Sequence, residues 1–372
     1  MKKKIFALVA AASLMVAALT GCGEKKVDVV SNVTSEESAP TADAVEENIE
    51  EPALEEKITI VTTIFPEYDW VREIIKGHED RFDVTLLLDS GADLHSYQPT
   101  VEDITKVSNA DMFVYVGGES DEWVEDALAN AVNKDQVSVN LMEVLKDTVK
   151  EEEVVEGMQE EEHDHDHDED ADEEHDHDEE AEEEHDHDHE HEEGPEYDEH
   201  VWLSVRCAKT LVNDLAAQIS SIDEENKADY EKNAADYVAV LDEVDAEYAK
   251  TLENTQTILF GDRFPFRYMV DDYGIKYYAA FVGCSAETEA SFETITFLAN
   301  KVDELGLKAI FTIESSDGSI AKTIIENSKG KDAKIFVLDS MQSVTAKDVS
   351  DGETYIGVVK SNLEVLKEAL AQ

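Results

Sequence analysis

The chain has 372 residues, which is enough for two domains of ordinary size, and 42% of them are hydrophobic. Its 90 acidic residues against 30 basic ones give a formal net charge of −60 at pH 7. Such a surface repels nucleic acid and attracts cations, so we expect a cationic ligand and no nucleic-acid partner.

The first 22 residues resemble the signal peptide of a bacterial lipoprotein. A basic start is followed by an apolar run from Ile5 to Leu19, which is too short to span a membrane comfortably. The next residues end in Thr20-Gly21-Cys22, which resembles a lipobox in which Cys22 becomes the lipidated first residue. We therefore expect an extracytoplasmic protein that is lipid-anchored to the outer face of the cell membrane, with residues 23–56 as a flexible tether.

Strand and helix patterns then alternate from Lys57 to Asn140. Four β-α units of this kind predict a parallel sheet covered by helices. Thr100 is predicted to be the N-cap of the second helix. We assign residues 57–222 to an N-terminal α/β domain. Its predicted strands are 57–62, 84–88, 112–116 and 137–140, and its predicted helices are 66–75, 100–109, 123–132 and 204–220.

An acidic, histidine-rich tract interrupts this domain. Between Glu151 and His200 there are 30 acidic residues and no Lys or Arg. Repeated His-Asp pairs offer imidazole and carboxylate donors that collect divalent cations weakly at many sites. Because the tract has few apolar residues, we predict a disordered, auxiliary metal-collecting loop over 151–196. Its histidines are His163, His165, His167, His175, His177, His185, His187, His189 and His191.

A long helix is predicted to join the two halves of the chain. Apolar or small residues recur at helical spacing across 222–254, and neither Pro nor Gly interrupts them. We assign 223–254 to a rigid linking helix and 255–372 to a C-terminal α/β domain with predicted strands at 258–260, 276–281, 309–313 and 335–338. The expected fold class is α/β, with two similar parallel-sheet (βα)4 domains joined by one long helix.

Three specific segments occur in order along the chain: Gly91-Ala-Asp-Leu-His95-Ser-Tyr-Gln-Pro99, Asp111-Met-Phe-Val-Tyr-Val-Gly-Gly118 with Glu122-Trp123, and His200-Val-Trp-Leu203. They resemble segments of the cluster A-I metal-binding proteins of ABC transporters. The start of the linking helix, Tyr230-Glu-Lys-Asn233, is also similar to that of this family. A histidine-rich acidic insertion just before the second metal ligand is typical of the zinc-handling branch of the family.

The resemblance implies one metal site in the cleft between the domains. It places His95 and His200 at the first two ligand positions. At the third position, ten residues before Tyr273, the family carries His or Glu, but this chain carries Arg263. Arginine stays protonated and cannot ligate a cation, so either one ligand is missing or a neighbour replaces it.

Three residues are candidates for that replacement: Asp262, Glu314 and Cys284. Glu314 is preferred because it ends a predicted strand and should face the cleft, although a salt bridge to Arg263 would explain it equally well. The fourth family position, an acid after the last strand, is matched by Asp339. Asp339 alternatively caps the following turn.

These observations predict a lipoprotein that captures Zn²⁺ and delivers it to the membrane permease of an ABC importer, and that is not an enzyme. The alternatives are a carrier of Mn²⁺ or another transition metal in the same class, or a surface metal buffer or adhesin. A zinc hydrolase is less favoured, since no HExxH motif is present. Whether Cys207 and Cys284 form a disulfide is left open.

Overall fold

The computed structural model describes residues 57–159, 196–285 and 289–371. Cys22, the predicted tether and the nine histidines of the tract lie outside these residues. No helix within the described ranges has the length and apolar character needed to cross a membrane.

Residues before the linking helix, here called the N-terminal half, contain a four-stranded parallel sheet. The strand order is β2-β1-β3-β4, so that β1 is central, and Ile60 and Val61 of β1 are buried. Thr100 caps α2 as predicted, because its hydroxyl accepts the Asp103 N–H. The elements are β1 (Ile58–Thr62), α1 (Phe65–Ile74), β2 (Phe82–Leu86), α2 (Val101–Asn109), β3 (Met112–Tyr115), α3 (Trp123–Ala129), β4 (Val137–Asn140) and α4 (Leu141–Leu145).

Two long helices follow, α5 (Val205–Ile222) and the linking helix α6 (Lys227–Leu252). The linking helix begins four residues later than predicted, because the Asp223 carboxylate accepts hydrogen bonds from Arg81 and Tyr230 and the chain turns there. The buried residues of α6 are those that helical spacing predicts, namely Tyr230, Ala234, Tyr237, Leu241, Val244, Tyr248 and Leu252.

Residues after α6, here called the C-terminal half, form parallel strand pairs. β5 pairs with β7, β6 with β8, and β9 with β10, while a parallel bridge between Phe260 and Phe311 joins the β5 and β9 pairs. The elements are β5 (Thr257–Leu259), β6 (Arg263–Phe264), α7 (Arg267–Tyr273), β7 (Lys276–Tyr278), β8 (Phe281–Val282), α8 (Phe292–Leu305), β9 (Ala309–Ile313), α9 (Ser319–Asn327), β10 (Lys334–Leu338), α10 (Ala346–Ser350) and α11 (Tyr355–Leu370).

The linking helix forms hydrogen bonds with both halves. The Asn233 side chain donates to the Ile74 carbonyl at 3.0 Å, and the Tyr248 hydroxyl donates to the Val359 carbonyl at 2.8 Å. The two halves also form a hydrogen bond with each other directly, since the buried Tyr355 N–H donates to the Asp69 carboxylate. The α/β class with parallel strands on either side of one long helix is confirmed, while the domain boundaries stay predictions.

The segment 151–159 is part of the folded structure. Glu151 forms an antiparallel bridge with Tyr197, Met158 is buried, and the Gln159 N–H donates to the Ala280 carbonyl at 3.0 Å. The prediction of a disordered loop over 151–196 is therefore wrong for residues 151–159, and residues 160–195 of that loop lie outside the described residues. The acidic composition of the segment predicts an exposed loop, but the apolar side chain of Met158 is buried and holds the segment against the fold.

Candidate metal centre

The loops that follow the parallel strands bring the site together. His95 lies in a short 3₁₀ helix, Leu94–Ser96, in the loop after β2. Asp93 caps this turn, because its carboxylate accepts the His95 N–H at 3.1 Å. The carboxyl ends of parallel strands are where α/β proteins bind ligands, so this placement is the expected one.

His200 is fully buried at the start of the 3₁₀ helix Val201–Leu203. Its backbone N–H and its ring Nδ1 both lie 2.9 Å from Asp198 Oδ1. Asp198 is itself held in place, since its carbonyl accepts the Tyr268 hydroxyl at 2.6 Å. Because a carboxylate only accepts hydrogen bonds, the His200 proton sits on Nδ1 and the Nε2 lone pair points away from Asp198.

The two imidazoles face each other through their Nε2 atoms, which lie 3.0 Å apart. The Nδ1 atom of His95 lies 2.9 Å from Ser120 Oγ and 3.4 Å from Glu199 Oε2. Each ring therefore has oxygen atoms behind one nitrogen and directs the other nitrogen at a shared point. Histidines that ligate metals in proteins almost always show this arrangement.

Glu199 lies behind the His95 ring and is almost completely buried. Burial alone would raise the pKa of its carboxyl, but the adjacent His95 and hydrogen bonding from Ser120 outweigh burial and lower that pKa. Gly118 makes room for this side chain: its φ is +84°, and a Cβ there would lie 2.4 Å from Glu199 Oε1. Any other residue at position 118 would be strained by the positive φ and would collide with the Glu199 side chain.

The environment of His200 favours its neutral form. Burial lowers the pKa of His200, and this effect prevails over the opposing attraction of Asp198. A neutral imidazole offers a free lone pair, which is the form that binds a metal.

Cys284 completes the group. One ligand atom from each of His95, His200 and Cys284 lies within 4.8 Å of the other two. Among the described residues, these three form the group of His, Cys, Asp or Glu side chains that is close enough together to hold a metal ion. Cys284 and Cys207 are both free thiols, so the structure holds no disulfide between them. Cys284 was one of the three residues that the sequence offered as a replacement ligand.

Glu314 and Asp339, which the sequence favoured, are not brought into this group. The Glu314 carboxylate accepts the Ser340 N–H at 2.7 Å, the Ser340 hydroxyl at 2.9 Å and the Ser343 hydroxyl at 3.1 Å. Asp339 Oδ1 accepts the Met341 N–H at 2.7 Å, which is the turn-capping role considered as its alternative. Both carboxylates therefore organise the loop after β10. Burial and the neighbouring Glu314 raise the pKa of Asp339 to about 6.

Arg263 forms its ion pair neither with Glu314 nor with a candidate metal ligand. Its guanidinium donates to Asp93, the residue that caps the His95 turn. The salt bridge to Glu314 that the sequence suggested is therefore wrong. The remaining candidate, Asp262, is also engaged, since its carboxylate accepts the Arg263 N–H at 2.9 Å.

Sequence reasoning missed the residues behind the imidazoles, namely Asp198, Glu199 and Ser120. The signal for Asp198 and Glu199 was their position directly before His200, where a carboxylate can turn back onto the ring. Ser120 carried no comparable signal, because it reaches His95 only through the fold.

Comparisons with known proteins identify the family. Residues 60–369 match the family described as zinc-uptake complex component A periplasmic, ZnuA. The chain is 30% identical over 316 residues to the high-affinity zinc uptake system protein ZnuA of Bacillus subtilis, covering 85% of this chain and 88% of that protein. It is 31% identical over 317 residues to the zinc-binding lipoprotein AdcA of Streptococcus pneumoniae, of whose length it spans 56%.

Solved structures show the same fold. The zinc-bound ZnuA-like domain of Streptococcus pneumoniae AdcA matches with a TM-score of 0.61 and 26% identity, covering 85% of this chain and all of that domain. The metal-dependent lipoprotein YcdH of Bacillus subtilis matches with a TM-score of 0.62 and 26% identity, covering 84% and 99% of the two chains. The resemblance drawn from the sequence is confirmed, and the chain belongs to the family of the periplasmic zinc-uptake complex component A.

Proposed function

We propose that this protein captures Zn²⁺ outside the cell and hands it to the membrane permease of an ABC importer. The observation that carries the proposal is the pair of opposed imidazoles, His95 and His200, with Nε2 atoms 3.0 Å apart and their other nitrogens held from behind. Imidazole nitrogen is a preferred zinc ligand. The family and its zinc-binding relatives support the same cargo.

The spacing of the rings suits zinc with little rearrangement. Two nitrogens that each lie about 2.0–2.1 Å from a tetrahedral zinc ion are roughly 3.3 Å apart. The observed 3.0 Å separation therefore needs to open by only a few tenths of an ångström. A site that is formed before the metal arrives avoids the cost of assembling its ligands on binding.

An acidic cavity of about 240 Å³ reaches the His95 ring. Its lining includes His95, Glu152, Glu196 and Glu199, and Glu196 is the last residue of the predicted metal-collecting loop. This supports the proposal that the tract supplies cations beside the mouth of the site at raised local concentration.

Anchoring and delivery complete the proposal. We assign lipidation to Cys22, a tether to residues 23–56, and the two domains to 57–222 and 255–372 on either side of the linking helix. The protein then acts as a binding protein for a permease rather than as an enzyme, in keeping with a family of uptake components.

Calorimetric zinc titration of the His200→Ala variant tests the proposal. We expect the tight site to be lost while the weak sites of the tract remain. His78→Ala is the matched control, because His78 pairs with Asp229 of the linking helix and does not belong to the group of candidate ligands. If His200→Ala and His78→Ala both bind zinc as the parent does, the proposed site is wrong.

A further inference from the structure

The position where the family resemblance expects a third ligand has acquired a different role. Arg263 donates to one oxygen of Asp93, while the other oxygen of Asp93 accepts the His95 N–H. Arg263 therefore fixes the turn that carries His95 and offers no lone pair to a cation. A third donor to the cargo ion must come from another residue.

The turn after β8 brings such a donor against the histidines. Gly283 packs on the His200 ring: a Cβ at this position would lie 3.1 Å from both Cε1 and Nδ1 of His200, and 2.9 Å from the Phe264 carbonyl oxygen. A larger residue would push the turn away, so glycine permits the close approach. The next residue, Cys284, is thereby placed with its sulfur within 4.8 Å of the ligand nitrogens of His95 and His200.

We propose that Cys284 is the third ligand, so that the cargo site is a His₂Cys centre that selects zinc-like ions over manganese. This inference rests on the function proposed above and names the chemistry of the same site. Thiolate is a soft donor that suits Zn²⁺, whereas Mn²⁺ prefers carboxylate, carbonyl and water. A Cys ligand from position 284, in place of the His or Glu that the resemblance expects at position 263, shifts the metal preference of the site towards softer ions.

The distances allow the ligation. With zinc bonds of about 2.3 Å to sulfur and 2.0–2.1 Å to nitrogen, a tetrahedral site needs roughly 3.6 Å between sulfur and nitrogen. The three ligand atoms are at most 4.8 Å apart, so the sulfur has to move by no more than about 1.2 Å. Rotation about the Cα–Cβ bond of Cys284 moves the sulfur on that scale.

The surroundings of Cys284 are open to a cation. Cys284 and His95 line the same acidic cavity, which gives an ion a path to the sulfur. Glu152 also faces it and accepts the Cys284 N–H at 3.2 Å, which holds the backbone of the turn. A cation that enters this cavity therefore meets negative charge before it meets the ligands.

Cobalt substitution tests the proposal, because a thiolate bound to Co²⁺ gives an intense near-ultraviolet charge-transfer absorption that imidazole and carboxylate do not give. The full-length chain is used in a Cys22→Ser background, so that Cys207 and Cys284 are the cysteines present. One equivalent of Co²⁺ is added to this parent, to Cys284→Ser and to the matched control Cys207→Ser. Zinc and manganese affinities are measured on each, and circular dichroism confirms that each is folded.

We expect the charge-transfer absorption in the parent and in Cys207→Ser and its loss in Cys284→Ser, with zinc affinity reduced at least about tenfold. Cys284→Asp should narrow the preference for zinc over manganese, which shows that the sulfur sets it. Tight zinc binding without the absorption, unchanged in Cys284→Ser, would overturn the assignment of Cys284 and leave the proposed function standing. Absence of any tight zinc site in the folded parent would overturn the proposed function together with this inference.

Discussion

Asp198 should control the zinc affinity without touching the metal. The substitution Asp198→Asn keeps the size of the side chain and an oxygen that can accept the His200 N–H. It removes the negative charge of the carboxylate, whose Oδ1 lies 2.9 Å from His200 Nδ1 and accepts the hydrogen bond from it. Hydrogen bonds to an ionised acceptor are roughly twice as strong as neutral ones, so the ring loses both orientation and basicity.

The expected loss of zinc affinity is tenfold to a hundredfold, since outer carboxylates on metal-bound histidines have effects of about that size. This corresponds to about 1.4–2.7 kcal/mol of binding free energy. Asp198 is 2% exposed, so solvent cannot replace the lost interaction. The effect should therefore lie well above the scatter of a competition titration.

A competition titration against a fluorescent zinc chelator measures the change. Asp229→Asn is the matched control, because Asp229 Oδ2 lies 2.9 Å from His78 Nε2 and so forms the same kind of pair on the surface. Asp229→Asn should leave the affinity unchanged. A folded Asp198→Asn protein whose affinity stays within about threefold of the parent would refute the reasoning that this carboxylate tunes His200.

Further predictions concern the rest of the protein. Arg263→Met should weaken zinc binding severalfold in the same titration, because Asp93 loses its partner and the His95 turn loosens. Burial raises the pKa of Glu67 from 4.5 to about 8, so the folded protein keeps a proton that the unfolded chain releases. The free energy of unfolding should then fall between about pH 5 and pH 8 by up to about 1.4 kcal/mol per pH unit, and Glu67→Gln should flatten this slope in denaturant titrations. Deleting residues 160–195 should remove only weak zinc sites in calorimetry; loss of all tight binding would favour a metal buffer.

The halves of the molecule should move little when zinc binds. Buried hydrogen bonds cross between them: the Tyr355 hydroxyl donates to the Trp202 carbonyl at 2.7 Å, and the Trp202 ring N–H donates to the Ser340 carbonyl at 2.9 Å. Small-angle X-ray scattering should therefore give the same radius of gyration with and without zinc. A clear decrease on zinc addition would show hinge closure.

Much of the fold was predictable because its signals are local. Strand β1 is a short β-branched run, Thr100 precedes acidic residues at a helix start, and the buried face of α6 repeats at helical spacing. His95 and His200 were identifiable because each sits in a specific motif. The structure brings both to the point where their loops meet.

The proposed third ligand, Cys284, was less predictable because its position depends on contacts between distant segments. The predicted strand 276–281 breaks at Ala279-Ala280, where Ala280 bonds to both Asp262 and Gln159. That break produces the separate strand β8 and the turn that carries Cys284. Glu314 had the better local signal, at the end of a strand, but Ser340 and Ser343 occupy its carboxylate. Nothing in the linear pattern distinguishes a carboxylate that faces a cleft from one that holds its own loop.

Anomalous diffraction at the zinc edge from crystals of the zinc-loaded protein would locate the bound ion and its ligands. We predict one strong peak bonded to Nε2 of His95 and Nε2 of His200, with the Cys284 sulfur as its third protein ligand. A peak bonded to Glu314 and Asp339, or no peak between the two imidazoles, would show that the proposed zinc site is wrong.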